Sequence, residues 1–510
     1  MLQIFRNTIL CLLFAVTYNL QAQESHRIQL LSQLDYENRL SDVWGYATIE
    51  GEYALVGVYN GISIVDVTQA HSPREIAFFP GEESIWRDLK TWGHYLYVVN
   101  ETGGGLQIVD LSKVIEGDLV SSYTENTDLG FETAHNIYID EQGVLYVFGF
   151  DNEGGFLMYD VATDSENPTL LGSFSDYYLH DGMARGDTLW AAAINEGLFS
   201  VIDVSDKARP EIMASHETPN YYTHNCWVSD DGDYLYTTDE VGGAYVVAYD
   251  VSDLNNIEEV DRIQAWGPES NVVPHNTHVV GNFLFTSYYA DGLSVVDVTH
   301  PDNMVEVAYY DTSPDYSGDG FHGAWGAYPW LPSGTILVTD IETGLYVLSS
   351  DHLRASYIEG QVFDAVSESP LSDVNIQFLA TNHSDRSNAE GFYKTGFAEE
   401  GMHEITYQAL GYEPLVKQVK LSKGDILRLD AQLIPYTECH FYPNPSVSGS
   451  VSIYAPDQTN FSVYSVKGEL LYNKVLHKGL HSIDLTHLVS GVYFFNFTTE
   501  SDDYTRLWVR

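Results

Sequence analysis

Between residues 54 and 350 the chain repeats one unit seven times. The unit is a short apolar strand, a polar turn with glycine, a second apolar strand and usually an aspartate. Six such aspartates follow one another at steps of 44, 50, 43, 47 and 47 residues. A period of roughly 40–50 residues with several strands per unit predicts a β-propeller. The units begin at Ala54, Tyr95, Val144, Thr188, Tyr234, Phe283 and Thr335, and the aspartates are Asp66, Asp110, Asp160, Asp203, Asp250 and Asp297.

The pattern also predicts how the ring of units closes. A short segment before each unit predicts an inner strand, and a polar turn followed by an apolar segment predicts an outer strand. The seventh unit ends at Ser350 without an outer strand, and the segment RIQLLSQLDY from Arg27 has the missing pattern. We therefore expect a seven-bladed propeller over residues 27–350, with the N-terminus completing the last blade and covering an exposed sheet edge. The aspartates are expected to accept turn N–H groups as Asx turns.

The segments around these aspartates resemble a known repeat. Residues 61–67 (GISIVDV) and 292–298 (GLSVVDV) are similar to the LVIVD repeat. Seven such copies resemble the choice-of-anchor B family of secreted propellers over about residues 27–350. That resemblance implies a surface-exposed propeller, and it implies no particular reaction.

Composition narrows the classes of partner. The chain has 510 residues, too many for one compact core, so more than one domain is expected. With 23 basic and 73 acidic residues its formal charge is −50. Such a surface repels nucleic acid and anionic lipid. Two interpretations of the charge stay open: an acidic coat suited to a saline medium, or a surface that gathers divalent cations.

The N-terminus predicts export. Arg6 precedes an apolar run over residues 8–16, and Ala22 offers a small residue before cleavage at Gln23. Residues 1–22 therefore form a predicted signal peptide, too short to span a bilayer. No later stretch is apolar enough for a transmembrane helix. The two remaining cysteines, Cys226 and Cys439, fall in different predicted domains, so we expect no disulfide framework.

Two smaller β-domains are predicted after the propeller. Residues 358–434 alternate as short strands with Gly and Pro turns, and they resemble the carboxypeptidase regulatory-like domain, a prealbumin-type β-sandwich. Despite its name, that module implies a spacer or adhesion role and no peptidase chemistry. The points that carry the resemblance are Gly360, Val362, Asp364, Pro370, Leu371, Gly391, Phe392, Gly411 and Tyr412.

The tail over residues 440–510 resembles the type A sorting domain of the type IX secretion system. It departs from that pattern at Ser465, where the family usually has aspartate. The resemblance implies recognition by the type IX machinery after Sec-dependent export to the periplasm, then tail removal and release or anchoring at the outer-membrane surface. The matching residues are Tyr442, Pro443, Asn444, Pro445, Gly468, Gly491 and Tyr493.

The candidate ligand site consists of seven residues, one at the start of the inner strand of each blade. We call this set the histidine column. If the inner strands line the channel, these side chains ring one of its mouths. In one interpretation the imidazoles converge on a divalent metal ion or an anionic ligand, since three histidines suffice for a zinc site with an open position. In the other, each histidine braces neighbouring strands. The residues are Trp44, Arg87, His135, His180, His224, His275 and His322.

A second column follows the second strand of most units. These carboxylates either lie on the same rim as the histidines or are solvated hairpin residues. The chain contains neither a Gly-x-Ser-x-Gly elbow nor a His-Glu-x-x-His motif. The acidic residues are Glu101, Asp151, Glu196, Asp239, Asp291 and Asp340.

The sequence therefore predicts an all-β protein, a seven-bladed β-propeller followed by two small β-sandwich domains. The first functional hypothesis is a non-catalytic binding or adhesion protein whose acidic propeller face binds a glycan, a peptide or a cation. The alternatives are a metal-dependent extracellular hydrolase that uses the histidine ring, and an envelope scaffold with no small ligand.

Overall fold

The computed structural model describes residues 24–119, 122–126, 129–152, 154–265, 271–379, 384–500 and 503–510. The predicted signal peptide, residues 1–22, lies outside the described residues. Within these ranges the chain is almost entirely β-structure, so the predicted fold class is confirmed. No helix in the described part of the chain has the length and hydropathy needed to cross a membrane.

Seven antiparallel sheets form the blades within the described ranges, six with four strands and one with five. Their middle strands are buried on both faces because each blade packs between two others. The N-terminal strands are β1 (Ser25–His26) and β2 (Ile28–Leu34). Blades 1 and 2 contain β3 (Leu40–Ala47), β4 (Glu52–Val58), β5 (Gly61–Asp66), β6 (Arg74–Pro80), β7 (Arg87–Trp92), β8 (Tyr95–Asn100), β9 (Leu106–Asp110), α1 (Leu111–Glu116) and β10 (Tyr123–Asn126). Blades 3 and 4 contain β11 (Asn136–Ile139), β12 (Val144–Phe148), β13 (Phe156–Asp160), β14 (Thr169–Phe174), β15 (Asp181–Arg185), β16 (Thr188–Ala193), β17 (Leu198–Asp203) and β18 (Glu211–Glu217). Blades 5 to 7 contain β19 (Thr223–Val228), β20 (Tyr234–Asp239), β21 (Val246–Asp250), β22 (Glu258–Ile263), β23 (Thr277–Val280), β24 (Phe283–Ser287), β25 (Leu293–Asp297), β26 (Val305–Tyr310), β27 (Ala324–Tyr328), β28 (Ile336–Asp340) and β29 (Gly344–Ser350).

The N-terminal strand closes the ring as the sequence predicts. Strand β2 pairs antiparallel with β29, so that Ile28 lies opposite Ser350 and Leu34 opposite Leu345. Gly344 begins β29 with a φ of 113°, and a Cβ there would lie 2.3 Å from the Leu34 carbonyl oxygen. Strand β27 of the last blade contacts β3 of the first, and β1 adds a fifth strand to blade 6.

The repeated aspartates make the predicted Asx turns. In all six, Oδ1 accepts a hydrogen bond from the backbone N–H two residues later, at 2.8–3.0 Å. Asp110 also caps α1, since it accepts from the N–H groups of Ser112 and Lys113. Their repetition therefore reflects the turn after the third strand and not a ligand site.

Two β-sandwiches follow the propeller. In the first sandwich, one sheet is formed by β30 paired with β33, β36 and β37. The sheet that faces it has the strand order β32-β31-β34-β35. The second stacks β38-β39-β42 on β41-β40-β43-β44. The strands are β30 (Ser356–Asp364), β31 (Asn375–Phe378), β32 (Ser384–Arg386), β33 (Phe392–Phe397), β34 (Gly401–Gln408), β35 (Leu415–Leu421), β36 (Ile426–Arg428), β37 (Ala431–Leu433), β38 (His440–Tyr442), β39 (Ser450–Ala455), β40 (Thr459–Ser465), β41 (Leu470–Leu476), β42 (Gly479–Asp484), β43 (Val492–Thr498) and β44 (Asp503–Val509).

The first sandwich packs on the rim of blades 6 and 7. The Asn303 side chain donates to the Thr395 carbonyl at 3.2 Å, and Asp297 accepts from the Ala355 N–H at 2.7 Å. Tyr357 is completely buried in the same cluster as propeller residues of β26. The two modules therefore share an apolar contact as well as hydrogen bonds.

The tail motif fastens the last strand of the chain. Asn444 donates to the Leu507 carbonyl at 2.8 Å and accepts from the Val509 N–H at 3.1 Å. Gly491 and Arg510 exchange both backbone hydrogen bonds. Tyr442 ends β38 and is followed by Pro443 and Pro445, Gly468 lies in the turn between β40 and β41, and Tyr493 lies in β43.

Candidate functional site

Four imidazoles converge at one end of the propeller channel, which we call the imidazole mouth. Ring-centroid separations are 3.8 Å for His135–His180, 4.3 Å for His180–His224 and 4.5 Å for His224–His275. Trp325 continues the row 4.3 Å beyond His275. The rings form an arc on one side of the channel and are not evenly spread. The space they enclose is about 10 Å³, which is room for one water-sized group.

Two of the seven predicted residues, Trp44 and His322, do not line the imidazole mouth. In blade 1 Asp42 lines the imidazole mouth, whereas Trp44 lines the opposite mouth. His322 bonds Glu342 at 2.8 Å and stacks on Tyr316, with 44% of its side chain exposed. The residues that take these two positions at the imidazole mouth are Asp42, two residues before Trp44, and Trp325, three residues after His322. Aligning the blades on the starts of their inner strands therefore misplaces these two blades by two or three residues.

Arg87 lines the imidazole mouth, but its guanidinium makes hydrogen bonds at the interface between blades 1 and 2. It donates to the carbonyls of Val58 and Glu82 and to the side chain of Gln107, at 3.3, 2.6 and 3.2 Å. Burial lowers the pKa of Arg87 to about 10, so the group stays charged at neutral pH. Its role is to fasten blade 1 to blade 2.

The histidines brace neighbouring blades through one ring nitrogen. Nδ1 of His180 donates to the His224 carbonyl at 3.2 Å, and Nδ1 of His275 donates to the Trp325 carbonyl at 2.6 Å. In a neutral imidazole this bond fixes the tautomer and leaves Nε2 as an acceptor. Among the described residues, Nδ1 of His224 and Nε2 of His275 are buried without a hydrogen-bond partner.

Glu240 is the carboxylate beside the imidazoles. Its Oε1 lies 3.6 Å from Nε2 of His224 and 3.9 Å from Nε2 of His275. Tyr289 donates its hydroxyl to the same oxygen at 2.6 Å, and it does so from a backbone φ of 34°, which is unusual for a tyrosine. The sequence prediction chose Asp239 for this column, but Asp239 instead accepts from Thr218 and from a backbone N–H.

A sequence signal for Glu240 exists in the repeat itself. Aligning YLYVVNET from Tyr95 with YLYTTDEV from Tyr234 places Glu240 opposite Glu101. Glu101 is the member of the predicted acidic column that contacts an imidazole, since its Oε1 lies 2.6 Å from Nδ1 of His135. The two glutamates therefore occupy equivalent positions in blades 2 and 5.

Burial sets the protonation state of the cluster. It lowers the pKa of His180 and His224 well below the usual value, and that of His275 to about 3. Burial also raises the pKa of Glu240 to about 7. For His135 the effect of burial is outweighed by the hydrogen bond that Nδ1 donates to Glu101 and by the charge of Glu101, so the pKa is raised. At neutral pH three imidazoles are neutral and have lone pairs available for a ligand.

Two overlapping sets of these residues have metal-binding chemistry. His135, His180 and His224 form one set, and His224, Glu240 and His275 form the other. In each set the potential ligand atoms lie within 4.8 Å of one another. Imidazole and carboxylate are ligands of zinc and of neighbouring transition metals.

A ring of buried polar groups lies below the imidazoles. Lys90 Nζ lies 2.6 Å from Asp88 and 3.4 Å from Asp42, with all three side chains less than a tenth exposed. Burial raises the pKa of Asp42 well above its usual value. Burial acts the same way on Asp88, but the charge of Lys90 outweighs it and the pKa is lowered. This network separates the two mouths of the channel.

The opposite end of the channel, which we call the aromatic mouth, is a wider cavity of about 240 Å³. Trp330 stacks on Trp227 at 5.4 Å and lies 5.7 Å from Trp44. Lys90 Nζ lies 4.6 Å from the Trp44 ring centroid, where the ring face attracts a cation. The other lining residues include Tyr138, Tyr328, Arg185 and Asp230.

Comparisons with known proteins identify three kinds of module in this chain. The LVIVD repeat matches residues 42–77, 86–124 and 275–312, the CarboxypepD_reg-like domain matches residues 358–437, and the secretion system C-terminal sorting domain matches residues 440–509. These matches do not include the choice-of-anchor B family, which stays a prediction. The sorting domain marks the chain as a secreted or outer-membrane surface protein recognised by the type IX secretion system.

Among solved structures, the β-propeller domain of Cps50 (Swd1) from Myceliophteria thermophila is similar at 12% sequence identity and a TM-score of 0.45. The similarity covers 63% of this chain and 99% of that chain. No curated protein matches the chain.

Replacing Glu240 with glutamine is expected to stabilise the metal-free propeller at alkaline pH. Burial raises the pKa of Glu240 from 4.5 to about 7, so ionisation costs the folded state free energy as pH rises from 4.5 to 7. E240Q avoids this cost and can still accept from Tyr289. The gain is up to about 3 kcal/mol at pH 8 and close to zero at pH 4. Unfolding of chelator-treated protein at both pH values measures it, and an equal gain at both would contradict the assigned cause.

Proposed function

We propose that the protein is an exported, non-catalytic binding protein whose propeller binds a saccharide at the aromatic mouth. The observation that carries this proposal is the cavity with three indoles at its wall and charged groups at its edge. Weakly positive C–H groups on one face of a sugar ring stack on the negative face of an indole. Binding cavities commonly combine such apolar walls with a few polar groups that fix orientation.

The charges around the cavity favour a neutral or anionic sugar over a cation. Lys90 and Arg185 both line it, and Asp230 stands beside Arg185 with 3.7 Å between the charged groups. A positively charged ligand would be repelled by Lys90, which already lies over Trp44. Hydroxyl and carboxylate groups of a saccharide can accept from both cations.

The C-terminal modules support a role outside the cell. In this proposal the signal peptide directs Sec-dependent export, the sorting tail is removed after passage through the type IX machinery, and the regulatory-like sandwich holds the propeller at a fixed orientation. That orientation is supported by the apolar contact that includes Tyr357.

Single substitutions of the half-buried indoles Trp44 and Trp330 test the proposal. Trp44→Ala and Trp330→Ala are each expected to weaken saccharide binding by about tenfold or more, because each removes a stacking surface. Binding is measured on a glycan array and then by calorimetry with the best saccharide. Trp86→Ala is the matched control, because Trp86 stacks on Trp325 at the imidazole mouth, 4.3 Å between centroids.

The alternatives give different results in the same experiments. Binding to a peptide array without binding to any glycan would replace the saccharide by a peptide ligand. Failure to bind either class would favour the scaffold. A metal-dependent hydrolase is the second candidate, favoured by the neutral imidazoles beside Glu240, and cleavage of an array saccharide that stops on chelation would support it.

A further inference from the structure

We propose that the imidazole mouth holds one divalent transition-metal ion, bound by His224, His275 and Glu240. This site is at the opposite end of the channel from the aromatic mouth, so the inference is independent of saccharide binding. The ligands would be Nε2 of each histidine and a carboxylate oxygen of Glu240. Two imidazole nitrogens and one carboxylate oxygen are ligands typical of zinc and of neighbouring divalent transition metals.

The three proposed ligand side chains converge on one point. Oε1 of Glu240 lies within 3.9 Å of both Nε2 atoms, and the three ligand atoms all lie within 4.8 Å of one another. A central ion with metal–nitrogen bonds of ~2.0–2.1 Å needs only a small inward rotation of these rings.

Unpaired buried atoms point to a missing partner. His224 is 3% exposed and His275 is 1% exposed, and each has a ring nitrogen without a hydrogen-bond partner among the described residues. A buried polar atom without a partner is costly, and native structures usually satisfy it. A metal ion bound by Nε2 of His275 would satisfy one of these atoms directly.

Bracing and metal binding use different nitrogens. Nδ1 of His275 donates to the Trp325 carbonyl, which leaves the unprotonated Nε2 directed toward Glu240. Tyr289 orients the carboxylate by donating to it. Such outer hydrogen bonds are what metal-binding histidines and carboxylates commonly have. The blade-bracing interpretation of the histidines therefore accounts for Nδ1 and leaves Nε2 available.

His224 is the decisive residue because it belongs to both candidate sets. It is also the residue whose Nδ1 makes no hydrogen bond to a neighbouring blade within the described residues. His180, whose ring is 4.3 Å from that of His224, is the nearest further imidazole.

The test uses the full exported chain, stripped with chelator and titrated with Zn²⁺ and with Co²⁺ at pH 8 in excess Mg²⁺. Magnesium occupies surface carboxylates, which prefer hard cations. We expect one tightly bound Zn²⁺ per chain by elemental analysis after dialysis, visible Co²⁺ absorption of a low-coordinate nitrogen-ligated site, and a higher melting temperature with metal.

His224→Ala is expected to weaken Zn²⁺ binding by at least ~100-fold and to abolish the Co²⁺ spectrum. His322→Ala is the matched control, because this histidine belongs to the sequence column but lies outside the cluster. If His224→Ala fails to fold, Glu240→Gln serves instead, because it keeps the Tyr289 hydrogen bond and replaces the carboxylate by a poor ligand. The proposal is overturned by substoichiometric zinc, by full binding in the folded variant, or by an equal loss in His322→Ala.

Discussion

A chain that begins at Tyr36, without β1 and β2, is expected to lose the cooperative unfolding of the propeller. Strand β29 would become an exposed edge, and the apolar side of blade 7 would lose Ile28, which is 3% exposed. Loss of the strand's backbone hydrogen bonds and apolar contacts costs on the order of 5 kcal/mol. We expect a melting temperature lower by at least ~10 °C and a tendency to aggregate through the free edge, measured by calorimetry and light scattering.

The converse change is a cross-link across the same junction. Gln29 and Ser349 lie directly opposite each other in β2 and β29. A disulfide from Gln29→Cys and Ser349→Cys would close a loop of about 320 residues, with a predicted stabilisation of up to ~5 kcal/mol. The reduced double variant is the control. If oxidation leaves the melting temperature unchanged while the disulfide forms, ring closure does not limit stability.

Lys90→Met is expected to destabilise the propeller by about 3–5 kcal/mol at pH 7. It removes the cation from a buried group that includes Asp88 and Asp42, and an uncompensated buried carboxylate is costly. The loss should become smaller as pH falls toward 4, because protonation removes the unpaired charge. Chemical denaturation of both proteins across this pH range measures the difference.

Two comparison variants separate charge from packing in that experiment. Adding Asp88→Asn and Asp42→Asn to Lys90→Met should recover most of the lost stability, since no buried charge remains. Lys113→Met is the surface control, because Lys113 pairs with Asp110 at 3.2 Å where solvent screens the charges, and this substitution should have a much smaller effect than Lys90→Met. The loss of stability in Lys90→Met could instead be constant with pH and persist when Asp88→Asn and Asp42→Asn are added. That result would mean that the loss comes from packing and not from charge.

Repetition made the fold predictable from sequence. Six of the seven units carry a turn aspartate and every unit carries a buried strand pair, so local hydrogen bonds and apolar alternation are enough to define a blade. Ring closure was also predictable, since the segment after Arg27 has the alternation that the last unit lacks. The tail could be assigned because its residues, such as Asn444 and Gly491, occur in a fixed order.

The candidate site was only partly predictable. Four of the five column histidines lie at the imidazole mouth, as the spacing of the repeats predicts. Trp44 and His322 do not, because the residues at the mouth in their blades are Asp42 and Trp325, two positions before and three positions after the aligned ones. It also missed Glu240, because the column was assigned to the preceding aspartate.

The number of blades, the strand that closes the ring and the order of the domains follow from patterns that are local in the chain, so they can be predicted without coordinates. Which side chains meet in the channel depends on how the blades pack, so it becomes known only from the folded structure. Residues 50 apart in sequence, such as His275 and Trp325, become neighbours through the packing of adjacent blades. The protonation states of the channel histidines, and which of their ring nitrogens lack a hydrogen bond, depend on burial and on partners in other blades. A single repeat contains neither.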